Sequence, residues 1–170
     1  MSDGAAAIVF SAERPGSDRP AVQIVACESA SYASGGSPLV TRGSRAAYEA
    51  AGLAVDDIDV FQLHDASAFA ELLQYEQVGI AAPGEAITAA LDGRTARGGR
   101  FPVNTDGGLL SRGHALGATG LAQLSELVRQ LRGEAGDRQI SGCRKAMSVN
   151  SGGWMGDDYA AVFATILERV

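Results

Sequence analysis

The chain has 170 residues, with 14 Lys+Arg against 20 Asp+Glu, a formal net charge of -6, and 46% hydrophobic and 20% charged residues. That length sets one domain as the default and suffices for a core without staples, and the hydrophobic content excludes a disordered chain. The acidic balance excludes nucleic acid as the main partner, which would need a basic surface. Two distant cysteines, Cys27 and Cys143, make neither a disulfide framework nor a metal site. No run of about 18 apolar residues offers a membrane span, and no basic-then-apolar segment opens the chain. A soluble, cytoplasmic protein without membrane contact is expected.

In chain order, Gly4 to Phe10 is a short apolar run with the length of a buried strand, and Arg14 to Pro20 reads as a linker because its prolines break any ladder. Val22 to Cys27 reads as a strand that dissolves into a polar loop over Ser29 to Ser37. A helix follows, with Ser44 as its N-cap and Gly52 as its stop. Ile58 to Leu63 is a strand that delivers His64 and Asp65 to its C-terminal end. Phe69, Leu72, Leu73 and Val78 then recur at helical spacing. A loop rich in Gly and Arg spans Asp92 to Asn104. A helix from about Gly113 to Leu131 carries an apolar stripe of Leu121, Leu124, Val128 and Leu131. Two strands, Ala146 to Val149 and Tyr159 to Ile166, close the chain around the turn Ser151 to Gly156. Strands alternating with helices predict an α/β layered domain.

Chemistry concentrates in three places. Asn104 to Gly120 packs five glycines into seventeen residues before the strong helix, with His114 at its entrance. Glycines there suit close backbone approach and positive φ, and a helix entrance favours developing negative charge. A neutral His114 could donate to an enolate or thioester oxyanion; a tightly packed helix start with a structural His fits the spacing equally well. His64-Asp65 falls where a strand ends and a helix begins, the usual place for ligand sites in α/β folds. Taken alone, Asp65 as an N-cap with His64 bonded to a carbonyl is the better reading. The chain has only these two histidines, and both fall at such junctions.

His64-Asp65-Ala66-Ser67, the run Ser111 to Gly120, and Asn150-Ser151-Gly152-Gly153-Trp154-Met155-Gly156 resemble, in order and spacing, the three C-terminal motifs of the thiolase superfamily. The resemblance covers essentially the whole chain. His-Asp in the first motif and the run Glu71 to Glu76 are most similar to the sterol-carrier-protein type and its lipid-transfer-protein relatives. It implies a thiolase-like half-fold, a mixed sheet layered with helices. Residues 1–13 would hold a strand resembling the end of the N-terminal thiolase domain, 14–20 a linker, and 21–170 the C-terminal domain.

The resemblance also implies an acyl-CoA site for making or cleaving a carbon–carbon bond, with the coenzyme A thioester as substrate and no bound cofactor. His64 would help hold the first oxyanion hole. His114 would be the other donor there and the base for the nucleophilic thiol. Gly152 would offer its N–H to a second oxyanion hole, opposite the imidazoles and beside Asn150. Fixed donors of this kind stabilise charge that appears only in the transition state. Thiolases usually carry a cysteine at the start of the last motif where this chain has Asn150, and an amide cannot trade protons near neutral pH. Ser67 and Ala115 replace a usual Phe and Pro. The resemblance implies that the nucleophilic cysteine belongs to an N-terminal domain outside these 170 residues.

Neither Cys27 nor Cys143 precedes a helix N-terminus that would activate it, so both read as buried and inert. Arg94, Arg97 and Arg100 are candidates for a coenzyme A phosphate but fit a solvated loop better. Tyr75 and Tyr159 are candidate acid/base groups that serve equally well as core residues, and Trp154 packs the last turn. Three functions follow: half of a thiolase-like acyltransferase, a lipid-transfer-protein-type retro-aldolase on β-hydroxyacyl-CoA, or a non-catalytic partner of a full-length relative. The expected partners are a complementary N-terminal thiolase-like chain or another copy of this chain and, for the aldolase reading, an OB-fold, zinc-ribbon protein.

Overall fold

A computed structural model describes residues 2–13, 16 and 19–170. Its centre is a four-stranded mixed sheet in the order β1-β4-β3-β2, built from β1 (Val22–Ser31), β2 (Val60–Gln62), β3 (Lys145–Gly152) and β4 (Ala161–Arg169). β1 pairs antiparallel with β4, β4 antiparallel with β3, and β3 parallel with β2. Helices α1 (Leu39–Ala51), α2 (Ala68–Gln77), α3 (Ala86–Leu91), α4 (Gly108–Arg112) and α5 (Thr119–Arg132) complete the domain. This is the expected α/β layering.

Strand alternation divides the core in two. Phe61, Leu63, Met147, Val149, Val162, Ala164 and Ile166 pack with Leu39, Val40 and Ala47 of α1, Tyr75 of α2, and Ala86 and Ala89 of α3. Their sheet neighbours Val60, Ala146 and Leu167 point the other way, against Leu127 and Leu131 of α5. The first cluster is larger and wholly apolar on its strands. The second is smaller and gives way along the sheet to Gln62, Ser148, Asn150 and Thr165.

The structure moves several boundaries. α1 begins at Leu39, five residues before Ser44, which is buried mid-helix. The capping oxygen comes instead from Asp158, whose carboxylate accepts the Leu39 N–H at 2.6 Å from 119 residues away. No local reading could find that cap. Gly52 does end the helix, at φ 65°. The strong helix begins at Thr119 rather than Gly113; residues 113–118 are a loop, half-buried for the most part, and α4 precedes it. Residues 5–10 form no strand, and Val9 and Phe10 are exposed. Extended backbone needs a neighbour for its N–H and C=O groups, and no described strand offers one there. Of the expected linker, residues 14, 15, 17 and 18 lie outside the described residues.

α5 carries an unexpected inner face. Thr119, Gln123, Glu126, Leu127, Gln130 and Leu131 are its buried residues, so the side toward the sheet is largely polar. The stripe read from the sequence is offset: Leu121, Leu124 and Val128 are only half-buried. Leu124 and Val128 line a groove of about 670 Å³ with Ile24, Leu167 and residues 7–10. Buried polar groups cost free energy unless paired, and these are paired. The Glu126 carboxylate receives Arg138 at 3.3 and 3.0 Å and the Gln130 amide at 3.2 Å, with Arg129 at 3.8 Å. Gln130 also accepts the Ile140 N–H at 2.8 Å.

The two arginines on Glu126 therefore differ in worth. Arg138→Ala removes a two-point hydrogen bond to a buried carboxylate and should cost about 1–3 kcal/mol, a buried-pair loss discounted because Arg138 is half exposed. Arg129→Ala should cost less than about 1 kcal/mol. Chemical denaturation of the two variants checks the order.

Candidate active site

The site is built at the C-terminal ends of the parallel pair β2 and β3, from residues on the α5 side of the sheet. Val60, Gln62 and His64 alternate onto that side, as do Ala146, Ser148 and Asn150. His64 is buried, and the Gln74 side chain of α2 holds its backbone as a neighbouring strand would. Gln74 Oε1 accepts the His64 N–H at 3.1 Å, and Gln74 Nε2 donates to the His64 carbonyl at 2.8 Å.

Asp65 does not cap the helix that follows it; Ser67 does, accepting the Ala70 N–H at 3.1 Å. Asp65 instead caps α4, where its two carboxylate oxygens accept the N–H groups of Leu109 at 2.8 Å and Leu110 at 3.3 Å. The approach is close enough to demand glycine at the start of α4: Gly108 has φ 61°, and a Cβ there would lie 2.1 Å from Asp65 Oδ2. Burial pushes the Asp65 carboxyl above its usual range, opposed by those N–H groups and by Arg112.

Fixing α4 fixes the loop behind it, which brings His114 edge-on to His64. The ring centroids are 4.9 Å apart at 86°. His114 Nδ1 lies 2.8 Å from Thr119 Oγ1, and that hydroxyl donates its one hydrogen to the Ala115 carbonyl at 3.0 Å. Thr119 therefore accepts from His114, so the neutral imidazole carries its hydrogen on Nδ1 and leaves Nε2 as a bare acceptor. Asn150 Nδ2 lies 3.2 Å from His64 Nδ1 and donates to Gln123 Oε1 at 2.9 Å. A cavity of about 310 Å³ opens beside Asn150, lined also by Gly120, Leu121 and Phe163.

The structure thus brings His64, His114 and Asn150 into one cluster. Asn150 does not face the imidazoles from across a site, as the sequence reading had it, but abuts His64. The reason is register: Ser148 of β3 pairs with Gln62 of β2, which sets Asn150 level with His64. Gly152 ends β3 two residues further on, exposed and paired with Ala161. The sequence reading missed Gln74, Gln123 and Thr119, the residues that hold the three. Gln123 and Thr119 had one visible signal, polar residues four apart within an otherwise amphipathic helix.

Other candidates resolve differently. Arg94 pairs with Glu85 at 4.0 Å, Arg97 donates to the Asp137 carbonyl, and Arg100 pairs with Asp56 at 3.5 Å while stacking on Phe101. Tyr75 is buried and donates to Glu71 at 2.8 Å; burial raises both groups above their ordinary ranges. Tyr159 meets Trp154 edge-on, with ring centroids 5.5 Å apart. Cys143 is buried, and burial with Asp59 nearby pushes its thiol up to about 12. Cys27 is exposed, contrary to expectation, and opens onto the same cavity as Asn150. Among the described residues, no group of three His, Cys, Asp or Glu could hold a metal ion, and no helix is long and apolar enough to cross a membrane.

A family model described as "Thiolase C-terminal domain-like" matches residues 29–165. The chain is 40% identical over 166 residues to "Sterol carrier protein 2" of Homo sapiens, covering 89% of this chain and 30% of that protein. It is 39% identical over 178 residues to "Acetyl-CoA acetyltransferase" of Methanothermobacter thermautotrophicus, covering 96% of this chain and 45% of that protein. Among solved structures, "Ltp2-ChsH2(DUF35) aldolase" superposes with a TM-score of 0.76 at 24% identity, covering 89% of this chain and 40% of that one. This chain thus spans less than half the length of each, and the last likeness carries the fold alone.

Burial, with His114 beside it, lowers the His64 pKa to about 4. An unfolded chain protonates this histidine near 6.5, so the unfolded state binds more protons between those values. The contribution of neutral His64 is complete above about pH 6.5 and should fade as pH falls toward about 4. NMR titration of the ring checks the midpoint, and His64→Gln should flatten this part of the stability profile.

Proposed function

Because the chain belongs to the thiolase superfamily, as its C-terminal domain, we propose that it is the C-terminal half of an enzyme that makes or breaks a carbon–carbon bond in acyl-CoA thioesters. The observation that carries this reading is the edge-on pair His64–His114, with Asn150 on one ring and Thr119 on the other. His114 presents a bare Nε2, the atom a general base needs. It would take the proton of a nucleophilic thiol supplied by a complementary thiolase-like half. His64, neutral at pH 7, would face the thioester oxygen as charge develops on it. Asn150 transfers no proton and would orient its neighbours. The substrate brings its own coenzyme A, and the chemistry calls for no resident cofactor.

The need for a complementary half has support in the fold. Leu124 and Val128 of α5 are only half-buried beside an open groove, and on β4 Phe163 is 54% exposed. Apolar surface left open to solvent in this way suits an interaction site. Residues 5–10 would find in the partner the strand neighbour that this chain does not provide. The same surface would serve association with another copy, which the test separates by mass.

A second reading, a carbon–carbon lyase acting on β-hydroxyacyl-CoA, is favoured by Asn150. Claisen-type chemistry needs a second proton-transfer group where this amide stands, whereas an aldol cleavage does not need one at that position. An OB-fold, zinc-ribbon protein would be the partner expected with it.

Purification from the native host, with mass spectrometry of what co-elutes, is the decisive experiment. A thiolase-like chain with a nucleophilic cysteine is expected; one without it favours the lyase, and a full-length thiolase would make this chain a non-catalytic subunit. In the active assembly His114→Ala should lower turnover by on the order of 10²–10³, and Asn150→Ala by less. Turnover per folded molecule unchanged in both His64→Ala and His114→Ala would overturn the catalytic reading. A monodisperse monomer with full turnover would overturn the need for a partner.

A further inference from the structure

The Asn150 amide reaches His64 along a chain of hydrogen bonds whose far end is a main-chain carbonyl. Gln123 is fully buried on the inner face of α5, and its Nε2 donates to the Val149 carbonyl at 3.3 Å. A carbonyl only accepts, so the NH₂ of Gln123 must face Val149 and its Oε1 must face Asn150. Asn150 must then turn its own NH₂ toward Gln123, where the separation is 2.9 Å. That same nitrogen lies 3.2 Å from His64 Nδ1. Reversing either amide would set two lone-pair oxygens face to face beside the fully buried Gln123.

We propose that Gln123 is a positioning residue that acts through Asn150 to fix His64 in the tautomer with its hydrogen on Nε2. The amide donates to Nδ1, so Nδ1 must carry the lone pair. The two imidazoles are thereby polarised in opposite senses, each from a main-chain carbonyl. Val149 works through two amides to give His64 a donor at Nε2, and Ala115 works through the Thr119 hydroxyl to give His114 an acceptor at Nε2. A donor and an acceptor side by side are what a site needs that both stabilises an oxyanion and removes a proton. The consequence for catalysis rests on the function proposed above. The tautomers do not, and they can be read without turnover.

Long-range ¹H–¹⁵N correlation of the uniformly ¹⁵N-labelled full chain near pH 7.5 distinguishes a protonated ring nitrogen from a bare one. His64 is expected with hydrogen on Nε2 and His114 with hydrogen on Nδ1. Gln123→Leu, which removes the anchor, should shift the His64 tautomer ratio by about fivefold, the worth of one net hydrogen bond. Asn150→Asp keeps the shape but replaces the donor with acceptors, so His64 should invert to hydrogen on Nδ1. Gln123→Glu, held as the neutral acid by burial against the Val149 carbonyl, can donate to that carbonyl and still accept from Asn150, so it should restore the Nε2–H form lost in Gln123→Leu. His64 carrying its hydrogen on Nδ1 in the unaltered protein would overturn the proposal. So would a ratio unmoved by Asn150→Asp in a variant whose amide spectrum shows it folded. Should the tautomers behave as expected while the assembly proves inactive, the proposed function fails and this inference stands.

Discussion

The site depends on one carboxylate. Asp65 sits at the end of β2 and accepts the first free N–H groups of α4, so the residue next to His64 anchors the segment that carries His114. A buried carboxylate is costly on its own, and the N–H groups it receives are ones that a short helix cannot satisfy internally. Each group solves the other's problem. Gly108 is the geometric condition of that exchange, because any side chain there would collide with the carboxylate. His64 itself contributes a neutral ring, kept so by the same burial that makes Asp65 an effective anchor.

The two faces of the sheet divide the work. On the α1 side, aliphatic packing against α1, α2 and α3 supplies the non-directional term of stability. On the α5 side, Gln123 bonds across to β3 while Glu126 and Gln130 bind Arg138 and Ile140 of the segment after α5, and each bond has one acceptable geometry. Such a layer adds less net free energy per contact than hydrocarbon does, since each bond replaces one to water. What it contributes is register. Sliding or rotating α5 would break the bonds that Gln123 makes to Asn150, Glu126 to Arg138 and Gln130 to Ile140 together.

Much of the fold was legible because its signals are local. Val22 to Cys27 and Ala146 to Val149 are apolar runs of strand length, and Gly52 stops α1 by its own φ. What was not legible depends on distant residues. Ser44 was the natural local cap, but Asp158 arrives from the far end of the chain. Asp65 was the natural cap for α2, yet it serves α4. α5 starts at Thr119 because the loop before it is tied to His114 and α4 rather than to helix propensity. His64, His114 and Asn150 were read from motif order, whereas Gln74, Gln123 and Thr119 carry no motif. Their roles exist only once β2, β3 and α5 are assembled, and a glutamine on an amphipathic helix otherwise reads as solvent-facing. The run Ala5 to Phe10 has strand character in its side chains, and strand structure further needs a neighbour that local sequence cannot specify.

The parallel pairing of β2 with β3 has a consequence for how the site can be cut. His64 and Asn150 stand 86 residues apart along the chain, and their contact is made only through a strand pair whose connection contains α2 to α5. The site has no short-range version: no peptide that excludes either end of that span can hold both groups, however well its own helices form. A nick within 92–104 would leave His64 on one piece, and His114 and Asn150 on the other. Those pieces could restore the cluster only by reassociating through the sheet and Asp65, so recovery of the His64–His114 geometry would report noncovalent complementation of the whole domain, with the loop-closure cost replaced by a concentration-dependent one.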